Sequence, residues 1–254
     1  LKAEYGSNQH ELNLYIAQEY ISYPVNSTFG EDDELDGRED DAQKDVEMLL
    51  AMFHVSHPTM IYKHWLNGVL KWLYKAEPQN VNQYRCFLEQ QAEVFLRHRF
   101  LAKTPAEYYD LIYKGVPDVE SLDVSKLDQG TGVENFIFNF LDYKLWKRNR
   151  NGYPTFEFTF RSSVEHYYPQ HPMDGVEPLD ETTLNSFGNL CLISASRNSR
   201  LSNFSPVAKK DFYLKEPRIE SIKQRLMLGY ESWSAVEIDA HGSAMRDVLL
   251  SAVR

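Results

Sequence analysis

Cysteine is scarce: the chain of 254 residues has two, Cys86 and Cys191, each in an apolar run and neither in a CxxC pair. That excludes a disulfide framework and a thiolate zinc site, and it suits a reducing compartment. Long hydrophobic runs are also lacking. No stretch approaches the roughly 18 uninterrupted apolar residues of a membrane span, and the opening LKAEYGSNQHEL has no charged-then-apolar leader pattern. The chain reads as soluble and cytoplasmic. It starts with Leu rather than Met, so it also reads as a piece of something longer. No P-loop or GxGxxG occurs, which excludes the familiar glycine-rich phosphate cradles.

A basic surplus is missing as well, since the formal charge is -10. Phosphate contacts normally come from Lys and Arg, so the distribution of charge matters more than its total. Residues 31–47 hold ten acids and two bases, and read as a solvated acidic loop. Residues 144–225 hold thirteen Lys or Arg against nine acids. The total charge therefore leaves a nucleic-acid substrate open.

What is present is enough apolar sequence, 43%, for one large domain or two modest ones. Residues 1–150 read as mostly helical. Tyr84, Phe87, Leu88, Ala92 and Phe95 follow helical spacing, as do Ile61, Trp65, Val69, Trp72 and Leu73. Thr104 and Pro105 open a short helix that Gly115 closes. Val116 to Gly132 is polar and turn-rich. Ile137, Phe140, Leu141 and Leu145 then mark a helix ending in the basic KLWKRNR, broken by Asn151, Gly152 and Pro154.

Beyond residue 150 the period changes. Phe156, Phe158 and Phe160 alternate with Glu157 and Thr159, predicting a strand, and NLCLIS over 189–194 predicts another. Between them lies a loop with Pro169, Pro172, Gly175 and Pro178. The chain turns helical again from Phe204.

The segment VEHYYPQ, followed by FGNLCLISASRNSRLSN and VAKK, resembles the HNH (ββα-metal) nuclease domain at the C-terminal end of GmrSD-type type IV restriction proteins. It is similar too to the HNH domain of RNA-guided DNA endonucleases. The positions that carry the resemblance are Glu165, His166, Pro169, Gln170, Asn189 and Asn198, within a core of 163–210. A lone HxxP is weak evidence, whereas the ordered set with both asparagines is specific. Glu165 stands where Asp is commoner, Asn198 where the family name has its last His, and Tyr167 where an aliphatic residue is usual.

The resemblance implies an α+β fold: a mainly helical N-terminal region, then a small ββα-metal unit within residues 151–254 that ends in helices. It implies hydrolysis of DNA phosphodiesters in restriction or phage defence, commonly under a separate nucleotide-handling domain, which a fragment of a longer protein would leave out. The residues themselves suit such chemistry. Phosphodiester hydrolysis needs a base for water and a cation for the developing charge. A neutral imidazole suits the first task, which points to His166, with His171 as the nearby spare. Glu165 and Asn198 offer hard oxygens to Mg²⁺ or Mn²⁺. Asn189, whose amide both donates and accepts, would brace the loop that carries His166 as part of the catalytic set. Arg197, Arg200, Lys209 and Lys210 are the candidate phosphate contacts. His10, His54, His57, His64, His98 and His241 show no ligand-like clustering.

Adjacent residues of a strand face opposite ways, so Glu165 and His166 meet at one phosphate only if the strand ends there. Pro169 makes that ending. Two other readings stand beside the nuclease: a catalytically silent nucleic-acid-binding or assembly module on the same frame, and a nuclease acting on RNA. Cutting both strands needs two centres, hence a dimer or repeated binding.

Overall fold

The computed structural model describes residues 2–5, 12–16, 19–24, 38–56, 64–76, 80–117, 121–173, 177–201, 203–216 and 218–253, with side chains from Asp41 onward apart from Leu201. Ile61, His10, His57, Gly175 and the first part of the acidic run lie outside the described residues. The fold is mostly helical, in keeping with the α+β expectation.

The N-terminal region departs from its helical expectation at the start. β1 (Lys2–Tyr5), β2 (Leu12–Ile16) and β3 (Glu19–Pro24) form an antiparallel sheet in the order β1-β2-β3, with a register irregularity at Tyr15/Ile16. The signal was the alternation Leu12, Leu14, Ile16, which is the period of a strand. The acidic run departs too. From Arg38 on it forms the start of α1 (Arg38–Ser56) rather than a loop.

α2 (His64–Ala76), α3 (Val81–Val94) and α4 (Asn135–Arg148) follow, with a π-helical continuation of α3 over Phe95–Phe100. The helix expected after Thr104 begins later, as a π-helical turn over Asp110–Lys114, and Gly115 closes it at φ 110°. α4 is the axis of the molecule. Every residue from Phe136 to Trp146 is buried, as befits a helix covered on all sides. It touches α1, α8, α9 and β5, and one hydrophobic cluster takes in Leu49 and Phe53 together with Leu192 and Leu249.

After α4 the chain turns at Asn149, whose side chain accepts from Gly152 N–H (3.1 Å). Phe156, Phe158 and Phe160 then run without strand pairing, contrary to expectation. Phe156 and Phe158 are buried, while Phe160 is exposed with its ring against His54 (5.3 Å). Their alternation records which side chains enter the core, and a strand needs in addition a neighbour for its main chain. That neighbour exists a few residues later. β4 (Ser163–His166) pairs antiparallel with β5 (Leu190–Ile193), the strand expected at 189–194.

α5 (Glu181–Leu184) lies in the loop between them, and α6 (Ala195–Leu201), α7 (Pro206–Lys215), α8 (Ile222–Met227) and α9 (Ala235–Leu250) complete the chain. α9 starts at a capping box of Ser234 and Glu237. Its C-terminal carbonyls, which lack helical donors, are taken by Lys144 (Leu249 O, 2.6 Å; Ser251 O, 2.8 Å) and Arg97 (Leu250 O, 2.9 Å). Among the described residues no helix is long and apolar enough to cross a membrane. Both cysteines are free, Cys191 buried and Cys86 exposed.

Candidate active site

β4 carries Glu165 and His166 at its end, facing Cys191 and Leu190 across the ladder. Pairing continues one step further, Tyr167 N–H to Asn189 O (2.9 Å), and there main chain gives way to side chain. Asn189 Oδ1 accepts from Tyr168 N–H (2.7 Å) and Trp233 Nε1–H (3.1 Å). Its Nδ2 donates to Tyr168 O (3.1 Å) and Leu184 O (3.0 Å). An amide makes four such bonds at most, and fully buried Asn189 makes them all. It therefore clamps the turn after His166 and has no capacity left for a ligand.

His166 is buried, and its Nε2 lies 3.0 Å from Asn185 Oδ1. A carbonyl oxygen accepts, so the ring carries its proton on Nε2 and its lone pair on Nδ1. Burial lowers the imidazole pKa, the Asn185 bond opposes that shift, and the Lys209 ammonium adds to it. The ring is neutral at pH 7 and able to take a proton. Asn185 comes this close because Gly130 leaves room. A Cβ on Gly130 would sit 2.5 Å from Asn185 Oδ1, and its φ of +55° disfavours any side chain. Gly130 N–H also donates to Asn185 O (3.1 Å).

Glu165 has a different partner. Lys209, fully buried on α7, places Nζ 2.5 Å from Glu165 Oε1 and 2.8 Å from His166 O. Burial raises the Glu165 carboxyl pKa against the opposing pull of Lys209. Cys191 beside it is pushed up to about 12 by burial, so it is an inert thiol. Asn198 on α6 donates from Nδ2 to Ser163 Oγ (2.6 Å), which ties α6 to the start of β4 and leaves the amide oxygen as its ligand-type atom.

The candidate phosphate contacts are divided. Lys209 is internal. Arg197 pairs with Glu220 (3.3 Å) and Glu216 (3.4 Å), and Lys210 donates to Tyr230 O (2.7 Å). Arg200 is exposed, with its guanidinium 5.9 Å from the Phe212 ring. His171 is exposed beyond the turn.

Three supports were not legible in the sequence. Lys223, fully buried, donates to Phe187 O (2.8 Å) and to Leu190 O, the carbonyls that flank Gly188 and Asn189, and burial brings its pKa down to about 7. Asp128 accepts from Phe187 N–H (2.8 Å) and Arg246 (2.5 Å). Asn185 itself was hidden among ordinary polar loop residues. Nothing in a lone Lys, Asp or Asn marks such a role, because the contacts come from segments far apart in the chain.

Among the described residues no three His, Cys, Asp or Glu side chains gather as a metal cluster. Glu165 and the Asn198 oxygen are nevertheless the hard donors that Mg²⁺ or Mn²⁺ takes, with water for the rest of its shell. The donors fit such an ion in type. One carboxylate oxygen is contested by Lys209.

The family model described as GmrSD restriction endonucleases, C-terminal domain, matches residues 122–248. The chain belongs to this family. No curated protein and no solved structure matches it. The GmrSD C-terminal domain here takes in α4, β4, β5 and the following helices, so every residue of the site described above falls within a restriction-endonuclease domain. α1 to α3 precede the match, and α1 packs against α4.

Proposed function

We propose that this chain is a metal-dependent endonuclease that hydrolyses DNA phosphodiesters by a water activated at His166, in restriction or phage defence. The observation that carries this reading is the Asn185–His166 bond of 3.0 Å, which gives a buried, neutral imidazole a defined lone pair. In the proposed reaction the Nδ1 of His166 takes a proton from water as the water oxygen attacks phosphorus. The P–O bond to the leaving oxygen breaks, and that oxygen is protonated from solvent. Asn185 holds the ring through Nε2, Asn189 holds the turn behind it, and exposed Arg200 meets the phosphate backbone. A divalent ion held by Glu165 and the Asn198 oxygen would supply positive charge for the oxygens that become negative.

The test is cleavage of supercoiled and linear plasmid, modified and unmodified, with Mg²⁺, Mn²⁺ or EDTA. Metal-dependent cutting should fall by about 10²–10⁴-fold in His166→Ala, the usual contribution of a general base. Equal cutting by both proteins would reject His166. Matched DNA and RNA duplexes in competition decide the substrate. A second reading, a silent module on the HNH-like ββα frame, draws on the Lys209–Glu165 pair, which already neutralises the carboxylate. It requires duplex binding with no turnover under any metal.

A further inference from the structure

Lys209 occupies the position at which a divalent ion on Glu165 would feel it most. Its side chain is fully buried, and its ammonium is 2.5 Å from Glu165 Oε1 and 2.8 Å from the His166 carbonyl. It arrives on α7, whose start is held by the Ser205 cap (3.4 Å to Ala208 N–H) and by Tyr167 O–H donating to Pro206 O (3.1 Å). Tyr213, one turn on, is buried as well. A buried carboxylate is tolerable only with a partner cation, and here that partner is part of the chain. Two cations on one buried carboxylate repel at short range with little water between them, and the divalent ion doubles the repulsion.

We propose that Lys209 is the resident counter-ion of Glu165 in the metal-free protein, and that a divalent ion binds by displacing its ammonium. The proposal rests on the reading of Glu165 and Asn198 as the metal ligands. It makes the metal-free centre neutral and ordered, weakens metal affinity, and couples metal binding to α7. The ion takes the Glu165 carboxylate and the Asn198 oxygen, whose amide nitrogen stays on Ser163. The ammonium gives up two acceptors at once, and α7 loosens with it.

The test is titration of Mn²⁺ into the full chain by calorimetry, for wild type, Lys209→Met, Glu165→Gln and the double variant. Lys209→Met should bind Mn²⁺ at least tenfold more tightly than wild type, and adding Glu165→Gln should abolish the gain. If Glu165→Gln weakens binding while Lys209→Met binds like wild type or worse, Lys209 is no competitor, though the ligand reading survives. If no protein binds Mn²⁺, or if binding ignores Glu165, the ligand reading and this proposal fall together. Lys209→Met leaves a buried carboxylate unpaired and can fail to fold, so a wild-type readout stands beside it. Hydrogen exchange over α7 should accelerate on saturation with Mn²⁺, and unchanged exchange at saturation would overturn the displacement.

Discussion

His166 depends on the residue that holds its other nitrogen. Asn185 Oδ1 accepts the Nε2 proton at 3.0 Å, which leaves Nδ1 with the free lone pair that the proposed reaction uses, so the acceptor's charge should set the ring's pKa. In Asn185→Asp a carboxylate replaces a neutral oxygen and stabilises imidazolium. The acid limb of the pH–rate profile should move up by roughly one to two units. In the wild type burial holds the His166 pKa below 6.5, so that limb lies below 6.5. ¹⁵N spectra of the His166 ring read the same change without turnover, as loss of the Nε2–H tautomer's signature at neutral pH. An unmoved profile and unmoved ring shifts would show that Asn185 does not govern the base. His166 and Asn189 stand out from their neighbours in sequence. Asn185 does not, because its importance comes from Gly130, fifty-five positions earlier, having no side chain.

Between elements, the tightest approach supports the same turn. A Cβ on Gly188 would lie 2.0 Å from Ile238 O and 3.1 Å from Gly242 N, so α9 packs directly on the backbone beside Asn189. Gly188→Ala must push α9 away and should lower stability by roughly 1–3 kcal/mol. It should also disturb the Asn189 clamp, reducing turnover out of proportion to the stability loss. Urea unfolding and single-turnover cleavage measure the two effects. Gly242→Ala meets Gly188 at 3.2 Å and a movable Arg246 side chain at 3.3 Å, and should cost less. At this scale the sequence told the helices α2 to α4 by their apolar stripes and β5 by a short apolar run that is buried at all four positions. It misassigned Phe156 to Phe160, because alternation is equally the mark of an unpaired extended chain that buries every second ring.

Across the whole molecule, charge is organised inward. The acidic helix α1 places Asp45 at full burial against Arg150 (2.5 Å), Lys147 (3.5 Å) and Arg85 (3.6 Å), so the basic end of α4 is largely neutralised within the fold. Arg161 is likewise consumed by Asp142 (2.7 Å). Buried titrating groups should shape stability against pH. His241, packed on Trp233 (5.5 Å), is pushed down to about 2 by burial and by Lys223. Between pH 2 and 6.5 the unfolded chain therefore binds the extra proton, and stability rises with pH. Lys223, brought down to about 7, has the same sign between 7 and its ordinary 10.5. Cys191, raised from 9 to about 12, offsets Lys223 above pH 9, and Tyr84 and Tyr108, both raised to about 12, reverse the trend above 10. The urea midpoint should climb from acid to a maximum near pH 9–10, at roughly 1.4 kcal/mol per unit per group in its window. His241→Phe should flatten the acid limb, and an unchanged limb would remove His241 as its source.

By itself the sequence determined the helical stripes of α2 to α4, the strand at 190–193 and the family of the chain, and it singled out His166, Glu165, Asn189 and Asn198 as candidates. Those are local patterns: period, spacing and residue chemistry. Only the tertiary structure decided which groups face one another. Lys209 proved to be the partner of Glu165, Lys223 and Asp128 the supports of the Asn189 turn, and Asn185 the partner of His166. Each of these is a contact between distant segments in a water-poor interior. There a single charge or amide must find a partner, and the chain's order does not say which one.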